Sequence, residues 1–137
     1  MNQVSVIPNL WIGDYESASD YNLLTSYAIT HIISLYRTPK FPNYFEYMCI
    51  TIEDIECADI AQYFTQTNAF IDNGLQYGFG VLVHCAAGVS RSATIVLAYM
   101  MHKLKLNCAD AFKILQHDRS CVCPNKGFMI QLNANEN

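Results

Sequence analysis

The sequence predicts an α/β fold, a central and mainly parallel twisted sheet of about five strands flanked by helices on both faces. Three observations predict it. Short apolar, β-branched runs alternate with longer segments whose apolar residues recur at helical spacing, the order that winds a parallel sheet. The run Val81-Leu82-Val83 is apolar throughout and follows the breaker Gly78-Phe79-Gly80, as a strand covered on both faces does. It leads through a turn of small residues into Ile95–Met101, which is apolar at nearly every position and rich in helix formers, so that helix is expected to be buried on most sides. The 137 residues, 52% hydrophobic and 15% charged, suit one domain with one sizeable core.

Taken in order, Val4-Ser5-Val6-Ile7-Pro8 and Leu10-Trp11-Ile12-Gly13 are short apolar pieces with turn punctuation, read as a pair of strands at a sheet edge. From Asp14 to Tyr27 the spacing of Ala18, Tyr21, Leu24 and Tyr27 predicts a helix, weakened in its middle by Asp20 and Asn22. His31-Ile32-Ile33-Ser34-Leu35 reads as a buried strand with His31 a structural residue at its end. Tyr36–Asn43 holds two prolines and is a surface connection, whose Arg37 and Lys40 are solvated charges within reach of an anion. Tyr47–Ile52 is the next strand. It runs through Glu53-Asp54-Ile55-Glu56-Cys57-Ala58 to a helix that begins at Asp59, with Gln62 reaching back to complete a capping box. Ile60, Phe64, Ile71 and Leu75 mark its core face. Beyond Met101, Asn107 or Cys108 starts an amphipathic helix that turns Ala111, Ile114 and Leu115 inward and ends near Arg119-Ser120. Pro124-Asn125 opens the last helix, from Lys126 to about Leu132, with Asn125 as its cap.

Composition narrows the function. A net charge of −4 argues against a broadly basic surface, so neither a nucleic-acid partner nor stable membrane association is expected. No secretory leader pattern, lipidation box or apolar run near the ~20 residues of a membrane span is evident, which predicts a cytoplasmic protein with nuclear access open to it. The six cysteines (Cys49, Cys57, Cys85, Cys108, Cys121, Cys123) include no Cys-x-x-Cys pair, and free thiols are the expectation.

The chemistry concentrates after Val83. Cys85 stands at one lip of the turn and Arg91 at the other, with Ala86, Ala87 and Gly88 small enough to let backbone N–H groups point inward. The helix that follows adds its own unpaired amides and the positive end of its dipole. Such a cup takes tetrahedral oxyanions. A cysteine among convergent donors and a guanidinium is favoured as the thiolate, and the planar fork of arginine holds two oxygens at once. The segment His84-Cys85-Ala86-Ala87-Gly88-Val89-Ser90-Arg91-Ser92 resembles the signature His-Cys-x-x-Gly-x-x-Arg-Ser/Thr of cysteine-dependent protein phosphatases, and its wording is most similar to the dual-specificity branch. Ile52-Glu53-Asp54 followed by Ala58-Asp59-Ile60, and Pro124-Asn125-x-Gly127-Phe128-Met129-x-Gln131-Leu132, resemble the same family, so the likeness runs from about Val4 to Leu132.

The resemblance implies a protein tyrosine phosphatase-like fold, a single catalytic domain over residues 1–137, and phosphorylated protein substrates dephosphorylated at tyrosine and at serine or threonine. It implies that Cys85 attacks phosphorus to form a phosphocysteine, and that Ala86, Ala87, Gly88, Val89, Ser90 and Arg91 hold the phosphate. Asp54 would be the acid and then the base, Ser92 would help the sulfur leave, and His84 and Asn125 would support the loop. No cofactor or metal is implied. The need for an acid is also physical, since protonating a high-pKa leaving oxygen is worth about 10² to 10⁴-fold. Glu53 and Asp59 compete locally with Asp54, although Asp59 is accounted for as a cap, and capping alone also accounts for Asn125. A phosphoinositide phosphatase on this loop would want a lysine among residues 86–90, and an RNA 5′-triphosphatase fits the acidic chain poorly. A non-catalytic phosphoprotein-binding module would be expected to lack Cys85, Arg91 or the acid, and a rhodanese-like enzyme has no use for Asp54. Cys57 and Cys49 are candidate resolving thiols for an oxidised Cys85.

Overall fold

In the computed structural model, which describes residues 1–136, the strands are β1 (Asn2–Gln3), β2 (Leu10–Gly13), β3 (Ile29–Ser34), β4 (Glu46–Cys49) and β5 (Gly80–His84). They form one sheet in the order β1-β2-β5-β3-β4, antiparallel only between β1 and β2. The predicted mainly parallel five-stranded sheet is therefore present. The helices are α1 (Tyr15–Ala18), α2 (Tyr21–Ser26), α3 (Phe64–Leu75, preceded by a 3₁₀ turn at Ala61–Tyr63), α4 (Arg91–Leu104), α5 (Cys108–Asp118) and α6 (Lys126–Ala134).

Strand alternation divides the core between the two faces of the sheet. Ile33, Val81 and Val83 pack with α3 to α6, whereas Ile32 and Leu82 pack with Ala18, Leu24 and Phe45 on the smaller face. Every residue of β5 is buried, as the unbroken apolar run requires. Helix α4 is buried at each position from Ser92 to Met101, because it lies between the sheet and α3, α5 and α6. Among the described residues no helix is long and apolar enough to cross a membrane.

Four elements differ from the sequence reading. The helix expected to begin at Asp59 begins at Phe64, because residues 61–63 wind as a 3₁₀ turn first and Asp59 bonds Gln62 N–H in that turn. Val4–Pro8 is a turn and not a strand: Val4 N–H donates to Leu10 O at 2.8 Å, Ile7 N–H to Val4 O at 3.1 Å, and Asn9 takes a left-handed φ of 70°. Val4 and Ile7 are both buried, a spacing of three that a tight turn satisfies and an alternating strand does not. The segment that pairs with β2 is Asn2–Gln3. The helix expected over Asp14–Tyr27 is two helices, because Asp14 caps Ser17 N–H at 2.8 Å and Asp20 caps Leu23 N–H at 3.0 Å, so the second aspartate ends one helix and starts another. Strand β4 stops at Cys49, short of Ile52. Its last bond to β3 is Ile50 N–H to Ser34 O at 2.9 Å, after which the chain leaves the sheet.

That departure positions the site. The ends of β5, β3 and β4 release their chains at one edge of the sheet, the carboxyl edge where open α/β folds leave a crevice.

Candidate active site

Between β5 and α4 the chain turns through residues 85–90, and nearly every carbonyl in the turn is held from outside. His84 Nδ1 donates to Cys85 O at 3.2 Å, Tyr15 N–H to Ala86 O at 3.0 Å, and Cys123 N–H to Val89 O at 2.7 Å. Arg119 Nη2 donates to Ala87 O and its Nε to Gly88 O, both at 3.0 Å. Ser90 O accepts from Thr94 N–H at 2.9 Å and Thr94 Oγ1 at 2.8 Å. In a trans peptide the N–H points opposite to the carbonyl before it, so a loop with its oxygens drawn outward has its amides turned inward. The first turn of α4 adds to them, and Ser90 at its cap position makes no side-chain cap bond to the helix. The result is an anion cup. Gly88, at φ 69°, supplies the left-handed joint that closes the turn.

Cys85 is at the base of this cup, 2% exposed, with its Sγ 3.2 Å from Ser92 Oγ on the first turn of α4. Arg91 points toward the strand ends, where Nη1 donates to Leu35 O and Ile52 O at 3.2 Å each. The early end of β4 is what frees the Ile52 carbonyl for this grip. Arg91 Nε is buried with no hydrogen-bond partner among the described residues, a donor without an acceptor. A cleft of about 400 Å³ beside it is lined by Tyr36, Arg37, Thr38, Thr51 and Ile52 among others. The expected solvated Arg37 is exposed, with its guanidinium 4.9 Å from the Tyr36 ring and 5.5 Å from the Tyr15 ring. His84 is buried, and that burial pushes its imidazole pKa down, leaving a neutral ring whose Nδ1–H holds the Cys85 carbonyl.

The loop from Thr51 to Ile60 brings Asp54 to the same edge. Its Oδ1 accepts from Asn125 Nδ2 at 2.9 Å, and Oδ2 has no hydrogen-bond partner among the described residues. Asn125 caps α6 through Phe128 N–H at 2.9 Å, and its backbone N–H donates to Ser90 Oγ at 2.9 Å. One residue thus ties the acidic loop to the cup. Asp59 caps the following turn by accepting from Gln62 N–H at 3.3 Å, and Gln62 Nε2 returns to the Asp59 carbonyl at 2.9 Å. Glu53, like Asp54, is exposed, and the Asn125 bond distinguishes Asp54 from it.

Sequence reasoning missed several of these supports. Arg119 was only the end of a helix, with no periodicity to mark it. Gln131 stood inside a quoted motif without a role; its Oε1 accepts from Ala61 N–H at 2.9 Å and its Nε2 donates to Ala58 O at 2.8 Å, pinning the far end of the acidic loop. Tyr15 holds the turn through its backbone N–H, which no side-chain pattern can reveal. Cys49 and Cys57 are both exposed, in contrast to Cys85.

The family model for the dual specificity phosphatase catalytic domain matches residues 10–137. The chain belongs to the dual specificity phosphatase family. It is 43% identical over 128 residues to MAP kinase phosphatase with leucine-rich repeats protein 1 of Dictyostelium discoideum, covering 93% of this chain and 15% of that one. It is 38% identical over 135 residues to human dual specificity protein phosphatase 9, covering 94% of this chain and 35% of that one. The chain therefore spans well under two thirds of either relative. Among solved structures, that of the human tyrosine phosphatase-like serine/threonine/tyrosine-interacting protein superposes with a TM-score of 0.93 at 38% identity, covering 98% of this chain and 93% of that one. The dual specificity phosphatase resemblance drawn from His84–Ser92 agrees with both the family model and the fold.

Proposed function

We propose that this dual specificity phosphatase domain, residues 1–137, hydrolyses phosphotyrosine and phosphoserine or phosphothreonine in protein substrates through a phosphocysteine intermediate. The observation that carries the reading is the ring of outward-held carbonyls around Cys85, which turns a set of amides on one small volume beside the unpartnered Arg91 Nε. The charge of a phosphoryl dianion suits such a set of donors, and the charge that spreads over its equatorial oxygens in the transition state meets them already fixed.

In the first step the Cys85 sulfur forms a bond to phosphorus while the bond to the leaving oxygen breaks and Asp54 gives that oxygen its proton. In the second, Asp54 takes a proton from water, whose oxygen attacks phosphorus, and the P–S bond breaks with its electron pair returning to sulfur. The Ser92 hydroxyl, 3.2 Å away, donates to that sulfur as it leaves. Arg91 is pre-set by two carbonyls just beyond β3 and β4, so its Nε and Nη2 remain to hold two phosphate oxygens side by side.

The testing experiment is Cys85→Ser, assayed with phosphotyrosine and phosphothreonine peptides and by calorimetry with phosphate. Turnover is expected to vanish while phosphate binding persists; near-normal turnover overturns the mechanism. A wild-type protein that binds phosphopeptides without turning them over would favour the non-catalytic reading, to which the likeness to a tyrosine phosphatase-like interacting protein lends some weight. The presence of Cys85, Arg91 and Asp54 together weighs for the enzyme.

A further inference from the structure

Three carbonyls of the cup are held by groups that the fold fixes independently: Tyr15 N–H for Ala86, Cys123 N–H for Val89, and the first turn of α4 for Ser90. Cys85 O is held by the adjacent His84 ring, and only Ala87 O and Gly88 O depend on a side chain remote in sequence. Both accept from one side chain, Arg119, which also donates Nη1 to Asn2 Oδ1 at 2.8 Å and so is anchored at its far corner. These two carbonyls flank Gly88, which at φ 69° and with no side chain can reach the mirror conformation at little cost. The glycine is also required for the grip. A Cβ at position 88 would lie 2.7 Å from Arg119 Nη2 and 2.6 Å from Gly13 O.

We propose that Arg119 is a positioning residue for the anion cup, locking the Ala87–Gly88 and Gly88–Val89 peptide planes with their N–H groups facing the bound anion. The inference rests on the phosphatase reading of that cup. Without the guanidinium, rotation of either plane exchanges a donor for a carbonyl oxygen aimed at a dianion, so attraction becomes repulsion. Lysine cannot replace it, since one ammonium has no planar fork to span two successive carbonyls and Asn2. The guanidinium touches no substrate atom and acts only through the loop.

The test uses full-length wild type, Arg119→Ala and Arg119→Lys, with three readouts: thermal melting, tungstate affinity by calorimetry, and kcat and KM for p-nitrophenyl phosphate. Loss of two charge-assisted hydrogen bonds to the loop predicts that tungstate binding and kcat/KM both fall by about thirtyfold in Arg119→Ala, with Arg119→Lys recovering only part. Millimolar methylguanidinium is expected to restore some of both in the alanine variant. Damage confined to stability would lower the melting point and the active fraction while leaving the tungstate affinity of the folded molecules intact, and that result overturns the proposal. If Arg119→Ala does not fold, Arg119→Lys decides, and wild-type affinity and turnover in it overturn the proposal equally. Wild type that binds tungstate but turns nothing over sinks the catalytic reading while the affinity comparison still judges Arg119. Wild type that binds no tungstate sinks the cup, and this proposal with it.

Discussion

At the scale of single residues, the site is built from side chains whose free atoms matter more than their bonded ones. Asp54 spends Oδ1 on Asn125 and keeps Oδ2, the arrangement expected of an acid that must present one oxygen to a leaving group. Asp54→Asn is expected to lower kcat about 10² to 10⁴-fold for phosphopeptides and far less for aryl phosphates with acidic leaving groups, measured across a leaving-group series. His84 carries a pH dependence of stability. Burial pushes its pKa below the ordinary histidine value, so in the window between the two values the unfolded chain binds more protons than the folded one. Stability from this group is intact above the unfolded pKa and is lost as pH falls through that window toward the folded value. His84→Asn, which keeps a donor for Cys85 O, is expected to show a smaller drop in urea midpoint from pH 7.5 to 5.5 than wild type.

At the scale of elements, two segments distant in sequence from each other converge on one loop: the start of α1, and the Arg119–Asn125 connection that leads into α6. The acidic loop rests on α6 in the same way, through Asn125, Gln131 and the close approach of Gly127 to the Glu56 carbonyl. An added Cβ at position 127 would overlap that carbonyl. Gly127→Ala therefore pits a gain in helix propensity of up to about 1 kcal/mol against displacement of the acidic loop. The expected outcome is a melting point within a few degrees of wild type and a loss of activity that is largest for substrates needing Asp54, read from the same leaving-group series. The starts of α5 and α6 were legible because Asn107 and Asn125 are capping residue types, whereas Asp59 bonds only the 3₁₀ turn ahead of α3, which starts at Phe64 without a side-chain cap. The two-helix break at Asp20 was only half legible, since the sequence shows a weakened helix but not whether the aspartate is tolerated within it or used as a cap.

At the scale of the whole molecule, β5 is the axis on which stability and chemistry meet, buried on both faces and followed directly by Cys85. Leu82 is fully buried in the smaller cluster with Ala18, Leu24 and Phe45, away from α4. Leu82→Ala is expected to cost about 2–5 kcal/mol in urea unfolding while KM for an aryl phosphate at low temperature stays near wild type. A large rise in KM would mean that the smaller face also supports the cup. The sequence by itself determined the α/β class, the central strand, the buried helix after it, and the cup residues from His84 to Ser92, because each is written in contiguous residue types whose periodicity and size act locally. Only the tertiary structure decided that Val4–Pro8 turns, that β4 ends early to give Arg91 its carbonyl, that Arg119 and Gln131 brace the loops, and that Asn125 joins Asp54 to Ser90. Those bonds join residues up to 117 positions apart, and a hydrogen bond between distant segments leaves no spacing in either of them.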